Sequence, residues 1–268
     1  MTSGTGPAPA LSVILSLRRS RSWPPTLRAR PLILRQSDHR DWPRTDASTL
    51  AREAAERLWK LEGRECLEYL KRRGLTDETV KVASLGAIES TRIPTKDGTR
   101  SYPVSGVSIP WRASGHLRLL KVRQLDGREP RYAEAFRDRP VVYPAPEAFE
   151  PGRPLIVCEG ELDALLLAQQ LPEASVITLG SASGKPDGAV LSLLLAASPW
   201  YVAHDADPAG DRAAAEWPAT AIRVRPPGPG KDWGDVHAAG ECRIRYHWGR
   251  LLNHSLPWSQ LTPKGGLE

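Results

Sequence analysis

Apolar residues recur at helical spacing at Leu50, Ala54, Leu58 and Leu61, and either Asp46 or Ser48 is placed to cap the helix that this predicts. A second helix is expected through Cys66, Leu67 and Leu70. It runs into Lys71-Arg72-Arg73-Gly74, where basic side chains suit a helix C-terminus and glycine suits its cap. Thr76 can cap a short third helix over residues 77–83, which stops near Gly86. From Val104 the period becomes strand-like: residues 106–110 and 116–124 are two runs separated by the turn Ala113-Ser114-Gly115.

From Pro154 short apolar strands alternate with helices. Strands are expected at 155–159, 175–179, 200–204 and 221–224, and helices at 162–170, 189–197 and 209–217. That alternation implies βαβ units, hence a parallel sheet with right-handed crossovers. Trp248, Leu251 and Leu252 suggest one further helix near the C-terminus, and no internal repeat is present. At the other end, residues 1–45 mix Pro, Ser, Gly and Arg around a single apolar run and read as disordered. The acid-free first 37 residues also have the composition of an organelle transit peptide, as would an upstream start-codon extension. The expected organisation is a tail over 1–47, a small α+β unit over 48–150, an α/β domain over 151–240 and an extension over 241–268.

With 268 residues, 40% of them hydrophobic, the chain is long enough to bury a substantial core. No stretch approaches the ~18 to 20 apolar residues of a membrane helix. Cys66, Cys158 and Cys242 lie far apart, and His237, His247 and His254 show no ligand spacing with them, so neither a disulfide framework nor a zinc site is expected. A reducing, cytoplasmic setting is the simpler reading. The net charge of +6 is unevenly placed: residues 1–48 carry +5, residues 112–139 carry +4 and residues 154–240 carry −6.

The acidic region holds the candidate chemistry. Ligands of open parallel sheets bind beyond the carboxyl ends of the strands. Glu159-Gly160-Glu161-Leu162-Asp163 follows the first strand, and Asp205-Ala206-Asp207-Pro208-Ala209-Gly210-Asp211 follows the third. Any one of these carboxylates could be an ordinary helix cap. Gathered on one edge, they repel one another unless cations neutralise them, which points to a hard divalent ion. His204 reads as a packed core histidine, and Gly180 to Lys185 lacks the full spacing of a phosphate-binding loop.

Glu159-Gly160-x-x-Asp163 followed by Asp205-x-Asp207-x-Ala209-Gly210 resembles the signature of the Toprim domain, shared by primases, topoisomerases and some nucleases. Lys231-Asp232-Trp233-Gly234-Asp235 is similar to the Lys-Asp-x-Asn-Asp segment of primase-type members, with Gly234 in place of Asn. Tyr69 to Gly86, Gly106 to Arg123 and Pro130-Arg131-Tyr132 resemble parts of the catalytic core of bacterial and phage or mobile-element primases. The resemblance implies an α/β Toprim fold, Rossmann-like, preceded by a small α+β subdomain. It implies that Glu159, Asp205 and Asp207 bind Mg2+ or Mn2+ and carry catalysis, with Glu159 also a candidate general base. Gly160, Asp163, Gly210 and Asp211 would support them. Lys121, Arg123, Arg131 and Tyr132, with Lys231, Asp232 and Asp235, would bind nucleotide or nucleic acid; Arg118 and Trp111 lie among them, and Trp233 reads as a rim residue.

The implied activity is magnesium-dependent synthesis of short RNA primers from nucleoside triphosphates on single-stranded DNA. A replicative helicase or a separate zinc-bearing subunit would be a fitting partner, because this chain has no zinc module or helicase motif. Two alternatives stay open: a Toprim metal-dependent nuclease, and a catalytically inactive single-strand-binding accessory protein.

Overall fold

The computed structural model describes residues 44–94, 101–138, 142–181, 184, 186, 188–240 and 243–252. All of these residues belong to one compact unit. The expected tail up to residue 43, Lys185, Cys242 and His254 lie outside the described residues.

Three helices come first: α1 (Arg44–Arg57), α2 (Arg64–Arg72) and α3 (Asp77–Val82). The first begins before Asp46 and Ser48, the expected caps, and ends before Leu61, which is 81% exposed in a 3-10 turn (Leu61–Gly63). Close packing breaks the helix there, since a Cβ on Gly63 would lie 2.4 Å from the Arg57 carbonyl oxygen. Thr76 does cap α3, its hydroxyl accepting from the Thr79 N–H at 3.2 Å. Its own N–H donates to Gln169 Oε1 at 2.9 Å, and Gln169 Nε2 donates to the Gly74 carbonyl at 2.9 Å. Thr76→Ala is expected to cost about 1 kcal/mol of stability in denaturant unfolding, the usual worth of an N-cap.

An antiparallel sheet follows, in the order β1 (Gly86–Pro94), β2 (Ser101–Ala113), β3 (His116–Gln124) and β4 (Tyr132–Arg137). The central pair was legible as alternating runs. The edge strands were not, because β1 has a register shift between Ile88 and Thr91 and β4 has only six residues. Helix α1 lays Ala47, Ala51 and Ala54 on one face of this sheet, against Ile88, Ile93, Leu120 and Phe136.

The second sheet is parallel, in the order β6 (Ser175–Thr178), β5 (Leu155–Cys158), β7 (Trp200–Ala203) and β8 (Ile222–Arg223). Helices α4 (Glu161–Gln170), α5 (Gly188–Leu194) and α6 (Pro208–Ala214) follow β5, β6 and β7. Both faces are covered, which is why β5 reads as a continuous apolar run. Leu155 and Val157 pack toward α5 with Val190 and Leu194, while Ile156 and Cys158 join the large core. That core also takes in Leu58 and Leu70 of the helical entry, Val107, Ile109 and Trp111 of β2, and Trp233 and Trp248, so one apolar interior unites the two sheets. Two last helices, α7 (Trp233–Ala238) and α8 (Arg243–Leu252), close this side. No helix among the described residues is long and apolar enough to cross a membrane.

Candidate active site

Strand β5 lies between β6 and β7, so the chain reverses its direction of sheet growth at β5. The carboxyl ends of β5 and β7 therefore flank the crevice at which such sheets bind ligands. Cys158 pairs with Ala203 across the two strands, so Glu159 leaves one strand end and His204-Asp205 the other, side by side. Helix α6 then starts on Asp207, whose side chain accepts from the Gly210 N–H at 2.8 Å. This turn is tight enough to require glycine at 210: a Cβ there would lie 2.3 Å from the Asp205 carbonyl oxygen. Arg223 fixes the same carbonyl from the other side, donating to Asp205 O and His204 O at 2.6 Å each. Asp211, expected near the carboxylates, instead pairs with Arg223 at 3.1 Å and Arg225 at 2.7 Å, and acts on the site through Arg223.

The charges are strained as a like-charged set would be. Burial lifts Glu159 above the usual carboxylate range, and the charges of Asp205 and Asp207 lift it further. Asp205 is raised by burial despite the Lys231 ammonium beside it. Asp207 goes the other way, held down by the Gly210 N–H and then by Lys231. Glu159 Oε2 is buried with no hydrogen-bond partner. Lys231 Nζ stands 3.0 Å from Asp207 Oδ2 and 3.6 Å from Asp205 Oδ2, so an ammonium already occupies a cation position between the aspartates. As the side chains stand, no three His, Cys, Asp or Glu among the described residues form a closed ligand set. The chemistry of the oxygen donors nevertheless fits a hard cation: one orphaned carboxylate oxygen and an aspartate pair that attracts a positive charge.

Lys231 is carried by a turn of its own. Asp232 caps α7, accepting from the Asp235 N–H at 2.8 Å, while Asp235 accepts from the Asp232 N–H at 3.4 Å, a reciprocal capping box, and also from the Lys231 N–H at 2.8 Å. The Ala206 N–H donates to the Lys231 carbonyl at 2.8 Å, tying this turn to the peptide between the two aspartates. Trp233, read from sequence as a rim residue, is fully buried and donates its indole N–H to Ala203 O at 2.8 Å. The aromatic ring packs on Trp248 at 5.4 Å between centroids, and this apolar seat removes it from the rim.

Asp163 lies deeper. It accepts from Gly234 N–H at 3.2 Å and pairs with Arg73 at 3.2 Å, and that guanidinium also serves Asp232 at 3.0 Å. One cation for two carboxylates leaves burial dominant, and Asp163 is pushed up to about 7. Its folded value thus exceeds its unfolded one, so stability from this group falls as pH rises from about 4 to about 7. Asp163→Asn lacks this slope, and its stability relative to the parent is expected to improve between about pH 5 and pH 8, by roughly 2 to 3 kcal/mol. Thermal unfolding at the two pH values checks it; a difference that does not change with pH contradicts it.

The antiparallel sheet supplies the basic side. Lys121 is buried, and its ammonium lies 2.6 Å from Glu161 and 2.9 Å from the Gly180 carbonyl. Trp111 donates its indole N–H to the same Glu161 at 3.2 Å. Lys121 therefore ties β3 to the start of α4 and is not presented to solvent. Arg123 sits between two tyrosines, its guanidinium 6.0 Å from the Tyr69 ring and 5.1 Å from the Tyr132 ring. Arg131 is exposed just before β4. Arg118 pairs with Asp138 at 2.9 Å. His204 is buried and driven down to about 4 by burial and the Arg223 charge, as a packed core histidine should be. Sequence reasoning assigned no site role to Arg73, Tyr69 or Arg223, and counted Glu161 only among the candidate carboxylates; Arg73 and Tyr69 lay in a run already singled out, whereas Arg223 left no signal.

Residues 156–237 match the family model described as Toprim-like. No curated protein matches the chain significantly by sequence. Among solved structures, the DnaG catalytic core aligns with a TM-score of 0.61 at 17% identity, covering 77% of this chain and 79% of that one. A DnaG primase catalytic domain bound to single-stranded DNA aligns at 0.56 and 16% identity, covering 81% and 86%. The primase domain of bacteriophage T7 gp4, in a complex with an RNA/DNA hybrid and the T7 lagging-strand polymerase, aligns at 0.51 and 21% identity, covering 70% and 91%. The α/β unit is a Toprim domain. With the antiparallel sheet before it, the described chain has the fold of a primase catalytic core.

Proposed function

We propose that this protein is a primase-like nucleotidyltransferase that makes short RNA primers on single-stranded DNA. The observation that carries the reading is the switch-point edge itself: Glu159, with its orphaned oxygen, faces an aspartate pair that already attracts an ammonium ion, within a primase-core fold. Glu159, Asp205 and Asp207 would hold magnesium or manganese, with residues 151–240 as the catalytic domain. Divalent cations bound there would supply charge stabilisation at the attacking and leaving oxygens. Glu159 is also the candidate general base for the attacking 3′-hydroxyl. Lys231, 59% exposed, can turn its ammonium from the aspartates to the incoming triphosphate.

Residues 48–150 form the groove side. Arg123 between Tyr69 and Tyr132, with Arg131 exposed nearby, offers guanidinium charge and aromatic faces to a single strand. Lys121 is assigned to holding the two sheets together through Glu161. The test is incubation with single-stranded DNA, magnesium and labelled ribonucleotides, read on a denaturing gel. New oligomers whose composition follows the template support the reading. Shortened template would identify a nuclease, and tight strand binding without turnover would identify an accessory protein.

A further inference from the structure

The Lys-Asp-x-Asn-Asp pattern has asparagine where this chain has Gly234. Glycine is a poor helix residue, and Gly234 sits in the first turn of the six-residue α7, so nothing in the helix itself favours it. A Cβ at this position would lie 2.5 Å from Arg73 Cζ and 2.8 Å from both Nε and Nη2. The end of a flexible arginine would normally swing away. This one is held by Asp232 Oδ2 at 3.0 and 3.1 Å and by Asp163 Oδ1 at 3.2 Å, and its buried Nε has no partner.

We propose that Arg73 is a positioning residue that clamps the Lys231–Asp235 turn against the Asp205-Ala206-Asp207 edge, and that Gly234 is glycine because the guanidinium fills the space of a side chain there. The path is continuous. Arg73 fixes Asp232; Asp232 and Asp235 fix each other through the capping box; Asp235 holds Lys231 N–H at 2.8 Å; Lys231 O holds Ala206 N–H at 2.8 Å. The helical entry, through the end of α2, thereby sets the spacing of the aspartate pair in the parallel sheet. The consequence for catalysis rests on the primase-like reading above, whereas the steric and positional claim does not.

The test is a mutant cycle read in two ways, neither of which needs substrate or metal. In the parent, Gly234→Ala forces the guanidinium off its carboxylates and is expected to lower the unfolding midpoint by about 4 °C or more. In an Arg73→Ala background the same change only improves helix propensity, and is expected to raise the midpoint by roughly 1 to 4 °C. Arg73→Gln, shorter but still a donor, is the second background if the alanine variant does not fold. The other readout is the amide resonance of Ala206 and the indole N–H resonance of Trp233 in the folded protein well below its midpoint. Positioning predicts that both shift in Arg73→Gln and in Gly234→Ala, which a role in global stability alone would not cause. The proposal is overturned if Gly234→Ala has the same sign in both backgrounds, or if the Ala206 resonance does not move. A parent that makes no primers would remove the functional reading and leave this cycle to stand or fall by itself.

Discussion

Asp205→Asn combined with Asp207→Asn is expected to reduce template-directed oligomer synthesis by about 1,000-fold or more, the scale of losing a preorganised charge clamp. The asparagines are chosen for what they keep. Asp207 accepts from Gly210 N–H as the cap of α6, and asparagine caps about as well as aspartate. Alanine would add a folding defect to the loss of charge. Asp205 is half-buried among like charges, so neutralising it also relieves repulsion. Activity and stability should therefore separate: synthesis lost, thermal midpoint within a few degrees of the parent. A variant that keeps a tenth of the parent rate while fully folded would show that the pair does not carry the chemistry.

The second large effect falls on stability. Lys121→Met leaves Glu161, whose side chain is 2% exposed, as an uncompensated buried charge, and is expected to cost about 3 to 5 kcal/mol in denaturant unfolding. Adding Glu161→Gln removes that charge and retains an acceptor for the Trp111 indole, so the double variant should recover most of the loss. A buried ion pair is not in itself a strong stabiliser. Its role here is specificity: it registers β3 of the antiparallel sheet against the first turn of α4, one residue beyond the Glu159-Gly160 turn. A cost below about 1 kcal/mol for Lys121→Met would mean that Glu161 finds another partner or a proton.

The parallel sheet was legible because its signal is local. Strands β5, β6 and β7 are each a short, largely apolar run followed by a turn and a helix, and the residues just past β5 and β7 follow from topology alone. The helix boundaries slipped where packing decides them. Glycine at 63 lets the chain come within contact of Arg57 and Leu58, which ends α1 early and leaves Leu61 outside. The side chains that organise the site were less legible because their partners are far apart in sequence. Arg73 meets Asp232 across 159 positions, and Lys121 meets the Gly180 carbonyl across 59. A basic residue in a basic segment reads as a nucleic-acid contact until the fold sets a carboxylate opposite it. The reverse holds for Glu161, which in sequence is an ordinary first-turn acid.

Titration of the purified protein with Mn2+, followed by electron paramagnetic resonance, tests the central claim most directly. The account predicts at least one site of sub-millimolar affinity in the parent, lost in the Asp205→Asn plus Asp207→Asn variant and weakened in Glu159→Gln. Equal Mn2+ binding by parent and aspartate variant, or none by the parent, would contradict a metal-dependent centre at this sheet edge.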